Sequence, residues 1–539
     1  MPGRMPQPPM AWDAWGDPGR ATELTPDMLG LITTTLRTTT PRPGVARDQV
    51  RLRSSTLTSD DVAALATVVG ADSVTVADAD RLLRAGGKST LDLLRRKQAG
   101  EQDAPDGVVA PASDDEVAGV LAVCAERGIA VVPFGGGTSV VGGLDPVRGP
   151  FRAAISLDLA RFDRLEELDT VDGVAQLGAG LTGPAAEALL AAEGYELGHY
   201  PQSFRYATIG GFAATRSSGQ DSAGYGRFDD MVVGLRVVTP RGVMVLGRPG
   251  PKDAAGPDLR QLFLGSEGTF GVITSVRLRV HPVPEATLHE AWQFPDFAAG
   301  AAALRAVQQR GAGPTVVRLS DETETALNLA TVSDAGGADS ASGCLAITVF
   351  EGEPELAAAR RAATGRIMTE FGGTSLGPER AERWAEHRFD GPYLRDPLLA
   401  AGVLVETLET VTSWSRLASL KAAVTERVTA KFAEYDSPAI VLCHISHVYA
   451  AGASLYFTIV GAQRGEGIDA AIAQWSDIKA SVNDVLVSAG GSITHHHAVG
   501  TDHRPWMEAQ VGALGVEVLR AVKATLDPGG ILNPGKLIP

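Results

Sequence analysis

Hydrophobic and polar positions change rhythm several times along the chain, and each change predicts a different element. Residues 1–50 hold no sustained period; Pro, Thr and Arg dominate, with threonine runs at 33–35 and 38–40. They read as a weakly structured lead-in whose residues 1–9 form a disordered extension. Between Ser59 and Val69 apolar residues return at helical spacing behind a Ser59 or Asp60 cap. Beyond residue 104 short apolar runs alternate with helical stretches. Residues 108–110 read as a strand, and Ser113 followed by Glu116 as a capping box that opens a helix. The next strand, 129–133, runs into glycines. Strands follow at 153–157 and 174–177, a helix at 184–193, and β-branched strands at 231–239 and 272–280. His281-Pro-Val-Pro284 breaks the pattern. Residues 285–500 mix strands and helices around a soft loop at 333–342, with no internal repeat.

A chain of 539 residues is too long for one ordinary core. The changes of rhythm divide it into a lead-in and helical region (1–103), an α+β domain (104–283), a second α+β domain (284–490) and a C-terminal segment (491–539). The net charge of −16 excludes nucleic acid as a partner, because phosphate neutralisation needs a basic face. It leaves room for a local basic pocket. Cys124, Cys344 and Cys443 stand apart in apolar surroundings, so they read as buried small hydrophobes in a reducing compartment rather than as a disulfide or zinc framework. No run approaches the ~20 apolar residues of a membrane span. Neither a secretory leader behind Arg4 nor a peroxisomal address at Lys-Leu-Ile-Pro539 is expected. The expected location is cytoplasmic, with contact to the inner membrane face left open. Trp12 and Trp15 are candidates either for touching lipid or for stapling the lead-in to the body.

A literal GxGxxG occurs at Gly178, Gly180 and Gly183, after a strand and before a helix. It sits late in the βα run, and Glu196 arrives too early for the ribose carboxylate of a dinucleotide fold. Gly183-Pro184 reads as a simple helix start. A stronger signal is Pro133-Phe134-Gly135-Gly136-Gly137-Thr138-Ser139. Three consecutive glycines let the backbone turn and bring successive N–H groups into one concavity, where they can cradle a diphosphate. A plain turn is the alternative for the run alone. It is joined by the small and hydroxyl residues Ser203, Thr208, Gly210, Gly211, Thr215, Ser217 and Ser218, and by Gly265-Ser-Glu267-Gly268-Thr269-Phe-Gly271-Val-Ile273.

These three segments, in this order, resemble the FAD-binding domain of the vanillyl-alcohol oxidase and p-cresol methylhydroxylase superfamily. The stretch from Leu526 to Lys536 resembles its closing motif. Within that superfamily the chain is similar over nearly its whole length to the alkyldihydroxyacetonephosphate synthase family. The matches are Trp12-Asp-Ala-Trp-Gly16, Gly198-His199, Val316-Val-Arg318-Leu319, Tyr393-Leu-Arg395-Asp396, Gly452-Ala-Ser-Leu-Tyr456-Phe and His495-His496-His497-Ala-Val-Gly500. The resemblance implies an α+β fold: a two-subdomain FAD-binding domain of the vanillyl-alcohol oxidase type, an α+β cap domain, and a C-terminal helical segment returning to the cofactor. It places the flavin phosphates on residues 133–139, with Ser203, Thr208, Gly210, Thr215, Ser217, Ser218, Glu267, Gly268, Gly271 and Ile273 wrapping the rest. The glycine loop offers no Cys or His for a covalent bond, so the FAD is expected to be dissociable.

The resemblance further implies exchange of the acyl group of acyl-dihydroxyacetone phosphate for a fatty alcohol, through a flavin adduct and without net redox turnover. Tyr456 matches the family's catalytic tyrosine; as a base, its phenol would need nearby cations to lower a pKa of ~10. Arg395 matches a substrate-binding arginine suited to phosphate, and Arg318 a further required arginine. His495, His496 and His497 match a histidine triplet that stabilises phosphate or shuttles protons. The bland alternatives are a packed strand tyrosine and surface ion pairs. In a strand, His495 and His497 would share one face and His496 the other, which argues against one metal held by all three; no metal is expected, although His444 and His447 lie in sequence nearby. The rival function is oxidation of a D-2-hydroxy acid such as lactate or glycolate. Against it, the stretches ending at Tyr456 and at Gly500 lack the carboxylates and final histidine of that branch. In its favour, the chain keeps an Asn533-Pro-Gly-Lys536 that the synthase family lacks. A passive flavin carrier is the non-enzymatic alternative. A homodimer is compatible with everything above.

Overall fold

A computed structural model of the chain describes residues 10–37, 40–247, 252–331 and 343–539. The 1–9 extension and the 333–342 loop lie outside the described residues. Three sheets organise the rest, and the architecture is α+β as expected.

The first sheet has the order Val74–Thr75, Gly107–Val109, Ala153–Asp158, Ile129–Phe134, the last three parallel. A parallel strand is covered on both faces, which is why Ala153–Asp158 is buried at every position. The helix Asp114–Arg127 crosses over between two of its strands. Ser113 Oγ accepts the N–H of Glu116 (3.2 Å), while the Glu116 carboxylate reaches the N–H of Ala112 (2.7 Å), one residue earlier than a capping box requires. Gly128 ends the helix in the left-handed conformation.

The second sheet is antiparallel, ordered Gly242–Leu246, Val232–Thr239, Val272–Arg279, Val174–Gly178, Leu165–Asp169. The GxGxxG therefore follows an antiparallel strand and cannot belong to a dinucleotide-binding βαβ unit. Its glycines serve packing instead: a Cβ on Gly180 would lie 2.0 Å from the Leu159 carbonyl oxygen, and one on Gly183 would strike the Phe204 ring.

The third sheet has seven antiparallel strands, including in succession Val316–Ser320, Ala439–Ile445, Gly452–Ala462 and Val403–Ser413. The helices Phe297–Gln309, Leu417–Glu434 and Gly467–Ser488 join it in the largest apolar cluster, to which the strands contribute Leu319, Cys443, Leu455 and Phe457. Alternation along a strand then turns Arg318, His444 and Tyr456 to the opposite face.

The lead-in is more ordered than its composition suggests. Thr25 Oγ1 caps Met28 N–H (3.3 Å), Pro26 occupies the first turn, and the helix Pro26–Leu36 anchors itself through buried Leu36 against Leu398, Val403 and Ala462. Threonines within it mask the apolar period. Trp15 is buried, edge-on to Tyr206 (6.0 Å), and Trp12 packs with Val50, Leu52 and Leu82. Both tryptophans staple the lead-in to the body. At the other end of the chain, Leu532 pairs with Val131 beside the glycine run, and Asn533 Nδ2 donates to the carbonyls of Gly143 (3.1 Å) and Glu267 (2.6 Å). Among the described residues no helix is long and apolar enough to cross a membrane.

Candidate functional site

The glycine run leaves the strand Ile129–Phe134 and lies against the 203–208 turn. A Cβ on Gly136 would sit 1.9 Å from the Tyr206 carbonyl oxygen, and one on Gly135 2.4 Å from Thr208 Oγ1. The missing side chains thus first permit backbone to meet backbone. Gly137 adds a positive φ of 71°. From Gly135 to Thr138 no backbone N–H finds an acceptor among the described residues. Successive half-buried donors without acceptors fit a bound diphosphate, since protein interiors rarely leave such groups unpaired.

The hydroxyl-rich segments divide into two groups. Thr208 Oγ1 caps the helix Ile209–Thr215 through Gly211 N–H (3.2 Å), Thr215 Oγ1 returns to Gly211 O (2.9 Å), and Ser217 Oγ meets His199 Nε2 (3.0 Å). Ser203 closes a turn through its carbonyl, and Ser139 Oγ accepts Gly143 N–H (3.1 Å). Ser218 Oγ, Ser266 Oγ and Thr269 Oγ1 are buried with no partner among the described residues. These three hydroxyls are the ones left for a ligand. Gly210 lies against Ala179, Gly268 against Pro133 and Gly271 against Val237, while Ile273 is a core strand residue. Glu267 has a positive φ of 50°, and its Oε2 accepts the N–H groups of Val499 (3.0 Å) and Gly500 (2.8 Å). Its carboxylate braces two loops. Burial raises it to about 7 against the pull of those two N–H groups.

Tyr456 stands in the third sheet directly between Glu409 on one neighbouring strand and His444 on the other. Cross-strand partners share a face, so the three form a row. The Tyr456 and His444 rings stack at 4.8 Å, and the His496 ring stacks with Tyr456 at 6.0 Å. Arg318 Nη2 lies 2.5 Å from Glu324 Oε1 and 2.9 Å from His444 Nδ1, which extends the row. Burial opposes ionisation of Glu324, but His444 and Arg318 outweigh it and hold the carboxyl down to about 2. Arg318 is therefore a partner of a buried carboxylate and of the His444 ring that stacks on Tyr456. Arg395 differs. It opens the helix Arg395–Ala400, and its Nε and Nη2 are buried with no acceptor among the described residues.

The histidine triplet is not a strand. Residues 495–497 bend around Glu409, whose carboxylate accepts the N–H groups of His495 (2.5 Å), His496 (3.2 Å) and His497 (3.0 Å) and the Thr494 hydroxyl (2.5 Å). Burial opposes its charge, yet the three imidazoles and Thr494 keep it well below 4.5. Burial likewise depresses all three histidines, so they are neutral near pH 7. Because the segment is bent, His495 and His496 come together with His447, their ligand nitrogens within 4.8 Å of one another. That spacing is open to a metal ion, and His497 is not part of it. His495 Nε2 also meets Tyr449 Oη (2.6 Å), and His447 Nε2 the Gly219 carbonyl (3.0 Å).

A base at Tyr456 would need cations to lower its phenol, and the pull of Arg395 in that direction is outweighed. Burial pushes the phenol up to about 12, despite a hydrogen bond from Thr407 and the charge of Arg395. Glu409, Glu324 and Tyr449 were not foreseen from the sequence. An acid within the apolar run Val403-Leu-Val-Glu-Thr-Leu-Glu409 was the available signal.

Comparison with known proteins identifies the family. Residues 105–246 match the FAD binding domain and 283–537 the FAD linked oxidases, C-terminal domain. The alkyldihydroxyacetonephosphate synthase of Dictyostelium discoideum is 35% identical over 477 residues, covering 85% of this chain and 77% of that protein. The Trypanosoma brucei brucei enzyme of the same name is 33% identical over 522 residues, 93% and 84%. A solved alkyldihydroxyacetonephosphate synthase superposes with a TM-score of 0.81 at 30% identity, covering 98% of this chain and 99% of the other. The chain belongs to the alkyldihydroxyacetonephosphate synthase family.

Proposed function

We propose that the chain is a FAD-dependent alkylglycerone-phosphate synthase, exchanging the acyl group of acyl-dihydroxyacetone phosphate for a fatty alcohol. The observation that carries this reading is the row Glu409–Tyr456–His444, with the partnerless Arg395 acting on the same phenol. The N–H groups of Gly135 to Thr138 would hold the FAD diphosphate, and Ser218, Ser266 and Thr269 hydroxyls other polar edges. FAD bound there would supply an electron-accepting ring for the exchange of acid for alcohol. None of these cradle residues is Cys or His, so the cofactor is held without a covalent bond.

The protein's own groups manage charge and protons. Arg395 takes the substrate phosphate, which satisfies two buried donors. Tyr456 holds its proton at rest and presents it towards the substrate, with Thr407 and Arg395 drawing the phenol down. Neutral His496 and His497, ring-to-ring with Tyr456, offer lone pairs that relay a proton leaving the substrate carbon. Glu409 fixes their backbone and stabilises them if they charge.

The test mixes the yellow protein anaerobically with acyl-dihydroxyacetone phosphate and a long-chain alcohol, and separately with D-lactate and glycolate. Fatty acid release matched by alcohol incorporation is expected, with no lasting bleaching. Lasting bleaching by a hydroxy acid, without exchange, would overturn the reading. Acid precipitation should leave the flavin in the supernatant.

A further inference from the structure

The Trp12-Asp-Ala-Trp-Gly16 motif has no part in the chemistry so far, yet it runs beside a second cation. Lys88 is buried, 6% exposed, and its Nζ donates to the carbonyls of Ala11 and Trp12. It forms no ion pair among the described residues. The same motif reaches the Arg395 helix: Trp15 N–H donates to Asp396 Oδ2 (2.7 Å), and a Cβ on Gly16 would strike the Tyr393 ring. Lys88 is also fixed to the flavin loop. Its backbone N–H donates to Ser139 O (2.6 Å), and a Cβ on Gly87 would lie 2.1 Å from that oxygen.

Buried Lys88 and half-buried Arg395, whose Nε and Nη2 are out of solvent, are therefore joined through the 10–17 segment, each lacking a carboxylate in contact. Their charges act on one another, and burial followed by Arg96 are the largest influences drawing the Lys88 ammonium down, to about 7. Arg96 is itself buried with Nε unpartnered. Of the neighbouring carboxylates, Asp92 accepts the N–H (3.0 Å) and hydroxyl (2.8 Å) of Ser89, and Asp396 holds Trp15 through Oδ2 while its Oδ1 is buried without a partner; neither lies within ion-pair distance of Lys88 or Arg395. Clustered buried cations cost energy unless an anion joins them. A phosphate monoester carries the two negative charges and several acceptor oxygens that such a cluster lacks.

We propose that Lys88 is the second cation of the substrate-phosphate site, beside Arg395, and that residues 10–17 form a strap that seats it. This rests on the synthase reading. The flavin diphosphate is the other phosphate within the same chemistry, and the experiment separates the two.

Holoenzyme carrying Lys88→Met, Lys88→Arg or Arg395→Gln is compared with wild type in FAD content, in KM and kcat for acyl-dihydroxyacetone phosphate, and in the dissociation constant for glycerol 3-phosphate. Lys88→Met is expected to keep its FAD and to raise KM and that dissociation constant about 10- to 100-fold, with a smaller fall in kcat. Lys88→Arg should recover most of the loss. If Arg395→Gln weakens phosphate binding while Lys88→Met stays within about twofold of wild type, the Lys88 role is wrong and the synthase reading stands. If neither variant matters, both fail. Loss of FAD from Lys88→Met, with phosphate affinity intact after reloading, would assign Lys88 to the cofactor and overturn the proposal. Should Lys88→Met not fold, wild-type holoenzyme crystals soaked with glycerol 3-phosphate decide the matter: phosphate contacting both Lys88 Nζ and Arg395 is expected, and phosphate bound elsewhere overturns it.

Discussion

The proposed flavin cradle and the Tyr456 row are built on opposite plans. The cradle works by subtraction, with Gly135, Gly136 and Gly137 omitting side chains so that the chain can turn and press on Tyr206 and Thr208. Its unpaired groups are backbone N–H and small hydroxyls, nearly free of charge. The row works by accumulation: Glu409, Tyr456, His444, Arg318 and Glu324, with the histidine triplet wrapped around one carboxylate. A cofactor kept through many turnovers suits rigid backbone. Moving protons needs several titratable groups whose pKa values are pushed apart by burial and by one another.

Gly136→Ala attacks the subtractive plan and has the largest expected effect. The added methyl meets the Tyr206 carbonyl, which cannot move cheaply, so about 3 kcal/mol or more of stability is lost and the protein emerges colourless. Thermal unfolding and flavin absorbance check this; yellow, stable protein would show that the loop can relax. Tyr456→Phe tests the accumulated plan. Flavin should remain while exchange falls about 10²–10⁴-fold, and the lost Thr407 bond should cost about 1 kcal/mol.

Glu409→Gln swaps an anion that accepts three backbone N–H groups for an amide whose NH₂ opposes them. A loss of about 3–5 kcal/mol is expected. The pH dependence carries the sign. Because the folded pKa lies well below 4.5, the stabilisation is present above that value and fades as pH falls through the lower folded pKa. Denaturant midpoints between neutral pH and pH 3 should slope in wild type, with the Glu409 share of that slope missing from the variant. Ser218→Ala has the smallest effect: FAD affinity weakens about fivefold. Apoprotein stability does not fall, since the hydroxyl has no internal partner. A destabilised apoprotein would mean that Ser218 belongs to the fold rather than to the ligand.

The same contrast decides what could be read from the sequence. The cradle is contiguous, so its glycines and hydroxyls announce themselves as composition, and the strands leading into it follow from β-branched runs. Which hydroxyls face the ligand was not legible, because Thr208 and Ser217 are used by a helix cap and by His199. Tyr456 and the triplet were found through resemblance. Their real neighbours come from strand register, which pairs Glu409 with Tyr456 across the sheet. The bend at 495–497 escaped strand logic because the carboxylate that imposes it lies 86 residues from His495. The helix Pro26–Leu36 was missed because threonines diluted its apolar face, although Thr25-Pro26 is a start signal.

The bond from Asn533 to the Gly143 carbonyl joins residues 390 apart. At ribosomal speeds of about 5–20 residues per second, the glycine loop waits roughly 20–80 s for the segment that braces it. A nascent chain therefore carries an unfinished nest through most of its synthesis, and tight capture of the nucleotide becomes a late event reserved for molecules that have received their distal brace.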